Sequence, residues 1–241
     1  MFRVALSFLP LLLLTTAGLA ASSRRATPSS VPASVLAQLL PANQHQLVAP
    51  TDAPTFVALV VGFQNFTCTQ QGAWASDGFA GQLFDISSLF PGSEFSQIQN
   101  DAYTDWVSQP GPSTNPFDLT FAKKVEDKYG IPLSGRHYFS PSGATGVTNP
   151  VFDFTNYGPT AGNPDAIVVA DVTGHIPTPA PTGDSDSDWQ AMRGVSGKFA
   201  STMFRVSTHG GEQFLIEDCQ PGYPGDQAKF TAQLFFYGSK L

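Results

Sequence analysis

The sequence predicts a mainly β protein: one domain, a sandwich or a barrel, with a helical insertion around residues 93–130. Three observations carry this prediction. Gly and Pro number 22 and 20 in 241 residues, which demands many turns. The chain holds 20 Phe and several β-branched runs, a composition that favours strands over helices. Only between Ser93 and Gly130 does the apolar spacing become helical over a long stretch.

The first twenty residues, MFRVALSFLPLLLLTTAGLA, join a positive Arg3, an apolar run and small residues at Gly18-Leu19-Ala20. That pattern is a secretory signal peptide, too short to anchor the chain in a membrane. No later run approaches the ~18 apolar residues of a spanning helix, so an extracellular protein without membrane insertion is expected. Residues 21–51 are rich in Ala, Ser and Pro and read as a loose lead-in, with one helical turn at most in VLAQLL. Arg24-Arg25 suits a processing site, which would make this a pro-segment, and equally suits an ordinary solvated pair. Residues 52–241, about 190 in number, suffice for one β-rich domain with its own core.

The first core strand is expected in TFVALVVGFQNFTCT (Thr55 to Thr69), followed by an extended piece in FAGQLFDIS (Phe79 to Ser87). Phe95, Ile98, Ala102 and Trp106 then mark a helix with Ser93 as its N-cap. A second helix is expected from Asn115 as cap and Pro116 as first residue, with Gly130 as its stop. Strands resume at RHYFS, PVFDFT and DAIVVADVT, and the chain closes with KFASTMFRVSTHG and AKFTAQLFFYG. The last of these alternates as a half-buried strand does. His209-Gly210-Gly211 reads as a tight turn, its glycines supplying positive φ.

Without residues 1–20 the chain keeps 11 of its 12 basic residues and all 19 acidic ones, a net charge of −8. An acidic protein with no basic stripe is a poor partner for nucleic acid or anionic membrane, and both are excluded. Cys68 and Cys219 stand 151 positions apart, and in an oxidising compartment they pair most simply as a disulfide; two free thiols are the alternative. Asn65-Phe66-Thr67 is the sole glycosylation sequon. Asp184, Asp186 and Asp188 resemble a fragment of a calcium loop, but the required Gly and distal Glu are missing, so a solvated loop and no metal are expected.

No dinucleotide fingerprint, P-loop, nucleophile elbow or H-E-x-x-H occurs, and no cofactor is expected. His137 and Asp153 in predicted strands, and His209 in its turn, are the catalytic candidates if they converge in one cleft. A carboxylate pair could also act on a glycoside. For each residue, structural hydrogen bonding is the more economical account. Trp74, Trp106 and Trp189 suit either a sugar-stacking platform or, more commonly, a core.

GFQNFTC, FAGQLFDIS, GRHYFS, PVFDF, FRVSTHGGEQF with a following cysteine, and FTAQLFFYG form an ordered series of short motifs over roughly residues 56–238. The series resembles a domain-of-unknown-function family of secreted fungal and bacterial proteins. Fungal members often carry a malate dehydrogenase label, which the missing dinucleotide fingerprint leaves without physical support. The resemblance implies that Cys68 and Cys219 occupy the family's cysteine positions and that His137, Gly210 and Gly211 are motif residues; His209 is a looser match. The sequence departs from the pattern at SPSGATG after the histidine and at WQAMRGV. The resemblance implies no activity, and the residues leave two expectations: a secreted non-catalytic binding or cell-surface/cell-wall interaction protein, whose partner is polysaccharide or an extracellular protein, or a secreted hydrolase or lyase acting on carbohydrate.

Overall fold

The computed structural model describes residues 30–109, 115–141, 148–179, 186–212, 219–223 and 225–241. The signal-peptide segment, Arg24-Arg25 and Asp184 lie outside the described residues. Eight antiparallel strands succeed one another around a closed barrel: β1 Phe56–Cys68, β2 Trp74–Asp85, β3 Leu133–Pro141, β4 Thr148–Asp153, β5 Ile167–Ile176, β6 Trp189–Gly197, β7 Thr202–Gly210 and β8 Asp226–Tyr237. The expected choice between sandwich and barrel is thus decided for the barrel. β1 decides it physically, because it pairs with β2 on one side and β8 on the other along nearly its whole length. Closure leaves no sheet edge.

Alternation sorts the side chains into two cores. Ala58, Val60, Leu83, Phe152, Met203 and Leu234 fill the barrel. Val57, Leu59, Val61, Phe63, Phe204 and Phe235 face outward, into a second cluster beneath the helices. The helical insertion lies between β2 and β3, as α2 Ser93–Ser108 and α3 Leu119–Tyr129. α2 buries Phe95, Ile98, Ala102 and Trp106 against the outside of β1, β7 and β8. Trp106 Nε1 donates to the Gly62 carbonyl at 3.0 Å, fixing the helix to the barrel wall. β8 is therefore covered on both sides rather than half-buried. Its outward Thr231 and Gln233 remain polar because they donate to the Gln99 and Phe95 carbonyls of α2.

The helix ends differ from expectation by a few residues. Gly92 precedes α2 without a side-chain cap, so Ser93 is its first residue rather than its cap. The α3 cap is Asp118, which accepts from Thr120 N, while Asn115 instead accepts from Phe117 N in the approach. Gly130 ends α3 at φ 66°, as predicted. β2 begins at Trp74, ahead of the expected Phe79, and β6 was not expected at all. Only part of β6 is buried, and Arg193, Gly194 and Gly197 break its apolar pattern.

The described part of the lead-in is not loose. Val31, Leu36 on α1 (Ser34–Leu39) and Leu47 are fully buried in the outer cluster beside Ile176 and Phe204. These few apolar residues, spaced among Pro and Ser, dock on the wall that α2 leaves bare; His45 stays exposed. No helix among the described residues is long and apolar enough to cross a membrane.

Candidate ligand site in the barrel mouth

Antiparallel order places the β1–β2, β3–β4, β5–β6 and β7–β8 connections at one end of the barrel. The opposite end is sealed by aromatic rings. Phe154 and Phe199 stack at 3.8 Å between centroids, Phe56 and Phe236 meet both of them edge-on at 5.3–5.6 Å, and Phe56 and Phe236 lie tilted to each other at 5.9 Å. A cavity of about 290 Å³ occupies the first end, where Gln64, Ser76, Phe79, Gln190, Arg205 and Glu212 are among its walls.

Arg205 forms the floor. Its pairing with Leu234 and Gln190 sets it on the inward parity of β7, in line with Met203. It is 5% exposed, and its guanidinium carbon lies 4.0 Å from the Phe79 ring centroid and 5.5 Å from that of Phe230. Nη2 donates to the Asp188 carbonyl at 2.8 Å, but Nε has no partner among the described residues. No ion pair involving Arg205 exists among them either. Asp188, whose charge acts on Arg205, directs its carboxylate to His175 Nδ1 at 2.7 Å. Burial lowers the Arg205 pKa to about 9, against the weaker opposing pull of Asp188. An arginine of that pKa remains a cation at neutral pH. On the rim, partial burial raises the Glu212 carboxyl, and the charges of Asp188 and Asp186 raise it further.

His137 lines the interior below the mouth. Its ring stacks on Phe152 at 4.3 Å, nearly parallel, and Nδ1 lies 2.9 Å from the Val151 carbonyl oxygen. A carbonyl only accepts, so Nδ1 carries the proton. Burial lowers the His137 pKa to about 4, with the Arg205 charge adding to the effect and the Val151 bond opposing it. The sign of the linkage follows. At pH 7 the ring is neutral in both folded and unfolded chains and contributes nothing to the pH dependence. As pH falls below about 6.5, the unfolded chain takes up a proton that the folded one refuses until about 4. Stability is therefore lost across that window, at about 1.4 kcal/mol per pH unit where only the unfolded ring is charged. Urea unfolding of His137→Phe between pH 7 and 4.5 is expected to show a shallower decline than the parent; equal slopes would refute this assignment.

The three catalytic candidates do not share a cleft. His137 is inside the barrel. Asp153 lies on the outer parity of β4, paired with Arg136, and its Oδ1 accepts from Thr155 N and Oγ1. His209 is within β7 rather than in a turn, opposite Thr231, with its ring 5.9 Å from Tyr103 of α2. Gly210 and Gly211 do adopt positive φ, 65° and 80°, at the strand end. Asp186 is a buried tie rather than a solvated loop residue: its Oδ1 accepts from Gly210 N at 2.7 Å. Trp106 and Trp189 are core, and Trp74 meets Tyr223 edge-on at 5.8 Å.

Cys68 and Cys219 form a disulfide, with Cα atoms 5.5 Å apart, tying the β7–β8 connection to the end of β1 at the mouth. Asn65 is half-buried; its carboxamide donates to the Gly78 carbonyl and accepts from Gln227 Nε2.

Fold and site together define an up-and-down β-barrel, stoppered with aromatics at one end and open at the other onto a buried cation. The chain belongs to the family described as Protein of unknown function (DUF3455), which matches residues 49–238. Neither a curated protein nor a solved structure matches it. Arg205 belongs to the FRVSTHGGEQF motif, yet motif matching did not mark it as functional. Strand parity gave no signal either, because Arg205 shares its side with Met203 and Ser207 while Phe204 and Val206 make the other side the more apolar one.

Proposed function

We propose that this is an exported, non-catalytic binding protein that holds a small ligand in the barrel mouth. The observation that carries the proposal is the cavity ending on Arg205, because a buried cation with an unused donor is costly unless something pairs with it. The stopper and the disulfide-tied rim supply a rigid cup, and preorganisation of this kind lowers the ordering cost of binding. Export fits the disulfide and the N-terminal segment, and Asn65 is the proposed glycan acceptor on that route.

Ser76 is exposed on the cavity wall, and Ser76→Trp fills the mouth without altering either core. A ligand present at 100 times its Kd stabilises the parent by about 2.7 kcal/mol, which a thermal-shift screen of small sugars and acids detects. The Trp variant is expected to lose that shift, measured against its own unliganded melting temperature because it also gives up the Ser76 hydroxyl that accepts from Gly78 N and Gln64 Nε2. Ligand shifts that survive in Ser76→Trp would place binding elsewhere.

A second reading rests on one observation. Asp188 and Glu212 line the same mouth, and burial with the neighbouring acids pushes Glu212 toward its protonated form. A carboxyl held protonated near a second carboxyl suits the general-acid role on a glycoside. Release of reducing ends from a polysaccharide, abolished by Glu212→Gln, would establish a carbohydrate hydrolase in place of a binding protein.

A further inference from the structure

From the chemistry of the mouth we infer that its ligand is a small sugar acid of the uronate class, whose carboxylate docks on the guanidinium of Arg205. The inference rests on the binding role proposed above and specifies its chemistry. Guanidinium carries five N–H donors in a planar fork that matches a carboxylate edge to edge. In Arg205 one donor goes to the Asp188 carbonyl and Nε goes unused among the described residues, while the ring of Phe79 covers the guanidinium. Nε itself is covered, so a carboxylate arriving down the cavity supplies the missing counter-charge to the guanidinium at the cavity's floor, where charge-assisted hydrogen bonds are stronger than neutral ones.

The walls restrict the rest of the ligand. Gln64, Gln190 and Ser187 present carboxamide and hydroxyl groups to the space, a set suited to ligand hydroxyls rather than to an acyl chain. Phe66 adds an apolar patch of the kind on which the C–H face of a sugar rests. At about 290 Å³ the cavity lies near the lower end of ligand pockets, roughly 300 Å³, so it takes a single ring rather than a long chain. The rim sets the charge. Asp188 and Glu212 stand at the entrance, and a phosphate or sulfate dianion, or a polyanionic chain lying across the mouth, meets their repulsion. A monoanion that carries its charge past the rim to the floor gains the cation and avoids most of that cost.

The test is titration calorimetry on the disulfide-bonded protein at pH 7 with four probes: glucuronate, galacturonate, glucose and galactose. Each uronate is expected to bind at least tenfold more tightly than its neutral counterpart. Arg205→Met is expected to erase that preference, and Arg205→Lys, which keeps the charge but loses the fork, to retain only part of it. Neutral sugars binding as tightly as the uronates would overturn the carboxylate inference and leave the cup standing. So would uronate binding unchanged in Arg205→Met. No binding of either uronate at millimolar concentration would overturn the sugar-acid assignment, and the Ser76→Trp screen would then decide the binding role on its own. If Arg205→Met fails to fold, Arg205→Lys answers alone, and an undiminished preference there would overturn the role of the fork.

Discussion

Cys219→Ser is expected to melt some 10–20 °C below the parent. The bond closes a loop of 151 residues, and removing a cross-link of that span frees the unfolded chain by about 5 kcal/mol in the chain-entropy treatment. For a domain of about 190 residues each kcal/mol corresponds to roughly 2–4 °C, which gives the range stated. The effect should appear equally in the parent under a thiol reductant, and scanning calorimetry measures both. Because Cys219 lies in the same β7–β8 connection as Gly211 and Glu212, which line the mouth, the variant should also bind any mouth ligand more weakly at temperatures where it remains folded. A melting temperature within a degree of the parent would show that the bond constrains nothing the fold does not already constrain.

Arg205→Met is expected to raise the melting temperature. A guanidinium inside a barrel forfeits hydration, and the compensation visible here is one carbonyl and two ring faces. Effective desolvation penalties for buried ions are several kcal/mol, and apolar replacement of buried ionic groups is often neutral or stabilising by about 1–4 kcal/mol. Methionine follows the same inward path past Phe79 and Phe230 with no charge to solvate. Thermal unfolding without ligand should therefore show a gain of at least about 2 °C, with binding lost at the same time. A gain in stability coupled to a loss of binding is the behaviour of a residue held for function. A large fall in melting temperature would instead make Arg205 a structural member of the barrel wall, and the binding site would lose its floor.

Much of this architecture was legible in the sequence. β1, β7 and β8 show as runs of branched and aromatic residues, and Gly130 shows as a helix stop. β6 did not, because Trp189, Ala191 and Met192 are its only well-buried apolar residues and polar or glycine positions separate the rest. The packing of residues 30–51 was hidden for a related reason. Val31, Leu36 and Leu47 are few, and what buries them is a wall built from strands far along the chain. For the site, composition pointed to histidines and carboxylates because those residues carry most catalysis. Their convergence depends on which side of the wall each one takes: His137 falls inside, Asp153 and His209 outside. Arg205 was passed over because arginine in a strand ordinarily faces solvent, and only closure of the barrel makes its side interior.

The aromatic stopper has a consequence for how such chains can diverge. The rings of Phe56, Phe154, Phe199 and Phe236 lie at the end of the barrel from which the helical excursion departs, and the recognition groups lie at the other. Substitutions that retune what is bound fall on hairpins and strand tips which contribute little to that packing. Substitutions that test whether the chain folds fall mostly where no visitor reaches. Under the proposed binding role the two selective pressures act mostly on separate positions, Arg205 and Cys219 being the two where a change is felt in both.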